Sequence, residues 1–146
     1  MAAYPPILSS IEMKRMPGKF LDSNILLYLM TPDDRKADIS KQLLDEGCII
    51  SVQVLNEVAN VLRRKYKLPW DDIRKFLDTV KQLADVVDVN LDIHLRGISI
   101  AERYGFAIYD SMIVAAAIKT GCEFVVTEDL QHGQVIDGVT VFDPYR

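Results

Sequence analysis

The sequence predicts a three-layer α/β domain, in which helices cover both faces of a mainly parallel central sheet. Short apolar runs of strand length alternate with longer segments of helical periodicity. Capping and stop residues separate these segments, and the 146 residues include only 7 glycines and 6 prolines. Strands that are joined through helices imply right-handed crossovers and therefore parallel pairing.

Capping and stop residues along the chain mark the boundaries of the predicted elements. Five strands are predicted, at 19–21, 48–50, 86–89, 123–126 and 139–142. Six helices are predicted, at 25–30, 34–46, 52–67, 71–83, 91–104 and 111–119. Ser51 and Asn90 are expected to cap the helices that follow them, and Gly47 to take a left-handed conformation after the second helix. The last helix is apolar on nearly every face, which predicts burial on all sides.

The domain organisation is simple. Residues 1–17 are predicted to be an N-terminal extension, and residues 18–146 a single domain without internal repeats. A chain of this length can bury a sizeable core without disulfide or metal support. Cys48 and Cys122 are therefore expected to be buried free thiols in a reducing compartment.

Composition excludes several classes of function. The formal net charge of −4 argues against a protein that coats duplex nucleic acid by bulk positive charge. No apolar run approaches the length of about 20 residues that a membrane-spanning helix needs, and the first residues lack the features of a secretory signal. We expect a cytoplasmic protein without a membrane partner.

Four acidic residues fall at the ends of predicted elements, on one side of the predicted sheet. Asp22 ends the first strand, Asp129 follows the strand at 123–126, and Asp110 precedes the buried helix. Glu57 lies in the second turn of the helix that follows the second strand, at the edge of its apolar face. Ligands of open parallel sheets bind outside the carboxyl ends of the strands, which makes these acids the candidate site.

Each acid also has a structural explanation. Asp22 and Asp110 could cap helices, a role that contributes about 1 kcal/mol. Asp129 could form an ordinary turn, and Glu57 could be a boundary residue. Gathered at one sheet edge, however, carboxylates would repel by up to about 4 kcal/mol per pair at about 4 Å and an effective dielectric constant of about 20. A divalent cation would relieve that repulsion.

The residue types select the kind of metal. A set of carboxylates without thiolate or imidazole favours a hard cation that prefers oxygen ligands, Mg²⁺ or Mn²⁺, over zinc. The chain has only two histidines, His94 and His132, which are too few for a three-histidine zinc site. Phosphate-binding loops, dinucleotide fingerprints and serine nucleophile elbows are all absent from the sequence.

Four segments of the chain together resemble the PIN-domain ribonucleases, and more narrowly the VapC-type toxins of bacterial or archaeal toxin–antitoxin pairs. The matching segments are Phe20–Tyr28, Ser51–Glu57, Tyr109–Ala117 and Thr127–Leu130. The resemblance spans roughly residues 18–146 and includes Asp22, Glu57, Asp110 and Asp129 in order. Glu128 stands beside Asp129; the fourth acid is assigned to Asp129, which holds the family position after the threonine.

The resemblance implies a PIN-like nuclease domain that cleaves RNA endonucleolytically with Mg²⁺ or Mn²⁺. It also implies a homodimer and a cognate small antitoxin protein that lies across the active-site groove. The contrasting hypothesis is a non-catalytic module that binds RNA or antitoxin. A cleavage assay with and without metal separates the two.

The expected mechanism is attack on the phosphodiester by water that the metal activates. Asp22 and Asp110 are expected to bind the ion, and Glu57 and Asp129 to hold its waters or a second ion, so that Asp129 also counts as a metal ligand. Asn24 and Thr127 are expected to orient water or phosphate. The basic run 63–67 would either guide RNA or only stabilise the C-terminus of the helix that carries it, through its positive charge.

Overall fold

A six-stranded sheet forms the middle layer of the computed structural model, which describes residues 18–146. Its strands are β1 (Lys19–Leu21), β2 (Cys48–Ser51), β3 (Ala84–Val87), β4 (Phe124–Val126), β5 (Val135–Ile136) and β6 (Val139–Phe142). They are ordered β3-β2-β1-β4-β6-β5, and every pairing is parallel except that of β5 with β6. The predicted α/β fold with a mainly parallel sheet is confirmed.

Six α-helices within residues 18–146 form the outer layers. They are α1 (Ser23–Leu27), α2 (Asp34–Asp45), α3 (Val52–Arg64), α4 (Trp70–Leu83), α5 (Leu91–Tyr104) and α6 (Ile108–Lys119), and a 3-10 turn at Tyr28–Met30 extends α1. Helices α1 to α4 connect β1, β2 and β3 in one direction across the sheet, and α5 with α6 returns the chain to the other side of β1. Right-handed crossovers therefore place the two groups of helices on opposite faces.

The core is densest around β1, β4 and α6. Phe20, Leu21, Val125 and Val126 have no exposed surface, and every residue from Ser111 to Ala117 in α6 is buried. The prediction that this helix is buried on all sides is confirmed. Cys48 and Cys122 are buried free thiols, also as predicted.

Local capping follows the sequence closely. The Ser51 hydroxyl accepts a hydrogen bond from the Val54 amide, and the Asn90 side chain accepts one from Ile93, as expected of N-caps. Gly47 has a φ of +94°, the left-handed conformation predicted after the second helix.

Several predicted boundaries were wrong. The third strand lies at Ala84–Val87 instead of 86–89, because α4 runs directly into it and pairing with β2 aligns Cys48 with Ala84. Helix α6 begins three residues before the predicted position, and α3 ends at Arg64 instead of about residue 67. Strand β5 was not predicted; it forms a short hairpin with β6 around Asp137 and Gly138.

The connections around β1 and β4 determine where a ligand can bind. The chain leaves β1 toward β2, whereas β4 pairs on the opposite side of β1. Connections thus diverge between β1 and β4, and such a switch point opens a crevice at the carboxyl ends of the strands. Asp22 follows β1 and Asp129 follows β4 at this edge.

The predicted extension at residues 1–17 lies outside the described residues. Within residues 18–146, no helix combines the length and apolar character needed to cross a bilayer.

Candidate metal centre

Asp22 occupies the first position after β1 and is the N-cap of α1. One carboxylate oxygen, Oδ1, accepts a hydrogen bond of 2.7 Å from the Ser23 amide, and Oδ2 accepts one of 2.8 Å from the Thr127 hydroxyl. The backbone amide of Asp22 continues the sheet by donating to the Val126 carbonyl. Only 4% of the residue is exposed, so its carboxylate is held rigidly in the crevice between β1 and β4.

Asp110 reaches the same crevice from the first turn of α6. The N-cap of this helix is Ala107, so the structural explanation of Asp110 as an N-cap was wrong. The half-buried carboxylate accepts no hydrogen bond from residues 18–146 in this structure. Its oxygens are thus left for a ligand, and the nearby helix N-terminus offsets part of the cost of its negative charge.

Asp129 lies in the bend that follows β4. Its amide donates to the Thr127 hydroxyl (3.0 Å), and its Oδ2 accepts a hydrogen bond of 2.9 Å from the Asn24 side chain. The residue is exposed, in contrast to Asp22. Thr127 therefore connects two of the predicted acids, since it donates to Asp22 and accepts from Asp129.

These three acids converge although up to 107 positions separate them in the chain. One carboxylate oxygen from each of Asp22, Asp110 and Asp129 lies within 4.8 Å of the other two. Glu57 is not a member of this cluster. Its carboxylate accepts hydrogen bonds from the Ser23 hydroxyl (3.2 Å) and from Gln53 (2.8 Å), so it adjoins the cluster through Ser23.

Glu128 is directed elsewhere. Its carboxylate accepts a short hydrogen bond from the Tyr28 hydroxyl and forms an ion pair with Lys36 at 3.3 Å. Of the two neighbouring acids, only Asp129 joins the cluster. Asp129, the predicted fourth acid, therefore lies beside Asp22 and Asp110, and its role at the site stays a prediction.

Burial and mutual repulsion both disfavour charge on Asp22 and Asp110. Desolvation raises the pKa of Asp22 to about 7, with smaller contributions from the charges of Glu57 and Asp129 and opposing ones from Thr127 and Ser23. Desolvation also raises the pKa of Asp110, again reinforced by Asp129 and Glu57. A bound cation would reverse these shifts.

The donor set fits a hard divalent ion. All three clustered side chains offer carboxylate oxygens, and no thiolate or imidazole joins them among residues 18–146. His132 instead accepts a hydrogen bond from the Asp143 amide through Nδ1. Oxygen-only donors that leave room for water are typical of Mg²⁺ and Mn²⁺ sites.

Some polar residues have roles that the sequence did not predict. Asn24 and Thr127 contact Asp129 and Asp22 directly, so they position the acids; they were expected to orient water or phosphate. Gln53 was not predicted at all. Its amide donates to Glu57 and to the Tyr109 carbonyl beside Asp110, which links α3 to the start of α6. The only sequence signal was its position one helical turn before Glu57.

The fold and the acidic crevice define a class: an open α/β domain with a carboxylate cluster at its topological switch point. The family model of the PIN domain matches residues 19–136. This chain belongs to the PIN-domain family.

Solved structures share the fold over most of the chain. A toxin–antitoxin complex from Klebsiella pneumoniae matches with a TM-score of 0.67 and 23% identity, covering 88% of this chain and 98% of that one. A DNA-bound VapBC complex from Salmonella typhimurium matches with a TM-score of 0.66 and 21% identity, covering 86% and 97%. VapC20 of Mycobacterium tuberculosis, described as a toxin that cleaves the sarcin-ricin loop, matches with a TM-score of 0.62 and 17% identity, covering 74% and 87%. No curated protein sequence is significantly similar to this chain.

Proposed function

We propose that this chain is a metal-dependent endoribonuclease and the toxin of a VapBC-type toxin–antitoxin pair. One observation carries the proposal: Asp22, Asp110 and Asp129 bring carboxylate oxygens within 4.8 Å of one another at the switch point of a PIN-domain sheet. Carboxylates at such distances, one of them buried and one half-buried, repel one another when charged, and a bound cation relieves that repulsion. The named neighbours include a toxin–antitoxin complex, a VapBC complex and a toxin that cleaves the sarcin-ricin loop.

The three clustered acids would hold the ion, which we propose to be Mg²⁺ or Mn²⁺. Asp22 is the rigid ligand, because Ser23 and Thr127 fix its two oxygens. Asp110 contributes from α6 and Asp129 from the bend after β4. When bound, the ion neutralises charge on the phosphodiester and makes water a stronger acid.

The surrounding residues prepare the site for hydrolysis. Glu57 stands next to the cluster and its carboxylate can accept a proton from attacking water, while Ser23 and Gln53 hold it in place. Asn24 donates to Asp129 and keeps that side chain turned toward the other acids. Such positioned groups supply much of the rate enhancement of a hydrolase.

RNA approaches the acids, in this proposal, from the basic end of α3. A cleft of about 160 Å³ is lined both by Asn24, which contacts Asp129, and by Lys65 and Tyr66 at that end. The segment 63–67 carries four cationic side chains in a chain of net charge −4. Local positive charge beside an exposed aromatic ring is suited to single-stranded RNA.

Two protein partners belong to the proposal. A cognate antitoxin would block the acidic crevice, in keeping with the toxin–antitoxin complexes among the structural neighbours. A second copy of the chain would form a homodimer. Leu91, Leu95 and Ile98 support it, because they form an exposed apolar stripe along α5 at helical spacing.

The test is cleavage of an RNA pool by the purified chain with Mg²⁺, Mn²⁺ or a chelator. We expect cleavage only with metal, and a loss of about 100-fold or more when Asp110→Asn removes a ligand. Expression of the chain alone should arrest growth, and the Asp110→Asn chain should not.

Asp92→Asn is the matched control, since Asp92 is also an acid in the first turn of a helix but lies outside the cluster. It should cleave at the wild-type rate. RNA binding without cleavage under any metal condition would favour the non-catalytic module instead. If Asp110→Asn unfolds the chain, the residue is structural and the assignment fails.

A further inference from the structure

We infer that Tyr28 and Lys36 position Asp129 for metal binding by binding the carboxylate of its neighbour Glu128 outside the cluster. The inference rests on the proposed metal site and adds residues that contact none of the three clustered acids. It also gives Glu128 a function that its exclusion from the cluster leaves open.

Glu128 is held at both carboxylate oxygens. The Tyr28 hydroxyl donates a short hydrogen bond to Oε1, and Lys36 donates to Oε2 at 3.3 Å. Lys36 also donates to the Tyr28 hydroxyl at 3.1 Å, which closes a three-membered network. The Tyr28 hydroxyl and the Lys36 ammonium therefore both donate to Glu128 and are joined to each other.

The network is anchored to a rigid part of the fold. The Lys36 ammonium lies 4.4 Å from the centre of the Tyr28 ring and 5.1 Å from that of Tyr145. Tyr28 and Tyr145 pack edge to face at 4.9 Å, and the buried Tyr145 hydroxyl bonds to Ser40 of α2 at 2.6 Å. Displacing Glu128 would disturb these packed contacts.

Asp129 needs such restraint more than the other clustered acids do. Asp22 is buried and Asp110 is part of a helix, whereas Asp129 is exposed in an irregular bend. Its carboxylate faces two other acids, so repulsion favours its rotation into water whenever no cation is bound. Within the described residues, the Asn24 amide is its only side-chain hydrogen-bond donor.

The two adjacent acids thus have opposite tasks. Glu128 forms an ion pair with Lys36. This contact fixes the backbone from which Asp129 projects toward the cluster. A site whose exposed ligand is already in place binds its ion more tightly, because less ordering accompanies binding.

The experiment measures the Mn²⁺ affinity of the full chain without RNA, either by calorimetry or from the electron paramagnetic resonance signal of free Mn²⁺. Tyr28→Phe keeps the ring and removes the hydroxyl. We expect it to raise the Mn²⁺ dissociation constant about tenfold. In the Asp129→Asn background the same change should raise it less than about twofold, because the affected ligand is already lost.

Controls separate positioning from general loss of stability. Tyr104→Phe removes a hydroxyl in a surface cleft shared with Asp137, which lies in the turn between β5 and β6, and should leave Mn²⁺ affinity unchanged. Glu128→Gln keeps an acceptor for Tyr28 but loses the Lys36 ion pair, so it should show a smaller loss than Tyr28→Phe. If Tyr28→Phe does not fold, Glu128→Gln tests the inference in its place.

Three outcomes would overturn the inference. Wild-type affinity in Tyr28→Phe and Glu128→Gln would show that the network does not act on the site. An equal loss with and without Asp129 would show that it acts through the fold as a whole. If the unaltered chain binds no Mn²⁺, the proposed function is refuted, and this inference is refuted with it.

Discussion

Asp22 shows how one residue can serve both the fold and the site. The structural explanation of Asp22 as a helix cap is correct, since its Oδ1 accepts from the Ser23 amide at the start of α1. The same carboxylate is nevertheless a member of the acidic cluster. Capping and metal binding are therefore compatible at this position, because a carboxylate has enough lone pairs for both.

The raised pKa of Asp22 predicts a pH dependence for the metal-free chain. The group has an ordinary pKa of 3.8 and a folded value of about 7, so the native state binds its proton more tightly than the unfolded state. The stability that this proton contributes is present below about pH 4 and is lost as the pH rises to about 7. In chelator, the free energy of unfolding should fall by roughly 2 kcal/mol between pH 5 and 8.

Urea denaturation at both pH values checks this expectation. Asp22→Asn should show a smaller fall, with a remainder from Asp110, whose pKa burial also raises. An identical pH dependence in Asp22→Asn would mean that another group is responsible. Saturating Mg²⁺ or Mn²⁺ should flatten the wild-type dependence, because the ion stabilises the charged form.

At the scale of elements, the packing of α5 on α6 determines where Asp110 lies. Gly97 of α5 is buried, and a Cβ at this position would stand 2.5 Å from Sδ of Met112 and 3.4 Å from its Cα. Met112 is only two residues from Asp110 on α6. The absence of a side chain at residue 97 therefore lets the two helices approach closely enough to direct Asp110 into the crevice.

Gly97→Val should lower the free energy of unfolding by about 1–3 kcal/mol, because the added atoms overpack the helix contact. It should also weaken Mn²⁺ binding, since α6 carries a ligand. Ser99→Val introduces the same side chain at an exposed position of α5 and is the control. Unchanged unfolding in Gly97→Val would show that Met112 yields without cost.

At the scale of the whole molecule, the exposed stripe on α5 predicts self-association. Leu91 is 69% exposed, Leu95 56% and Ile98 42%, and their spacing places them on one side of the helix. Leu95→Glu should convert a dimer to a monomer, as measured by light scattering over a range of concentrations. Thr79→Glu, which adds the same charge at an exposed site of α4, should remain dimeric. A monomeric unaltered chain would refute the predicted homodimer.

Much of the fold was predictable because its signals are local. Apolar periodicity, the caps Ser51 and Asn90 and the left-handed Gly47 depend on neighbours in the chain, and all were confirmed. The missed hairpin also had a local signal, Asp137-Gly138 between apolar residues. The start of β3 had none, since only pairing with β2 sets it.

The sequence by itself determined the α/β class, the order of the elements other than β5, and the family to which the chain belongs. Tertiary structure alone decided that Glu128 binds Tyr28 and Lys36, and that Glu57 lies beside the cluster and contacts Ser23. The physical reason is range. Caps and periodicity act over a few residues, whereas the contact of Asn24 with Asp129 joins positions 105 apart, and carboxylate repulsion depends on distances that only the folded chain sets.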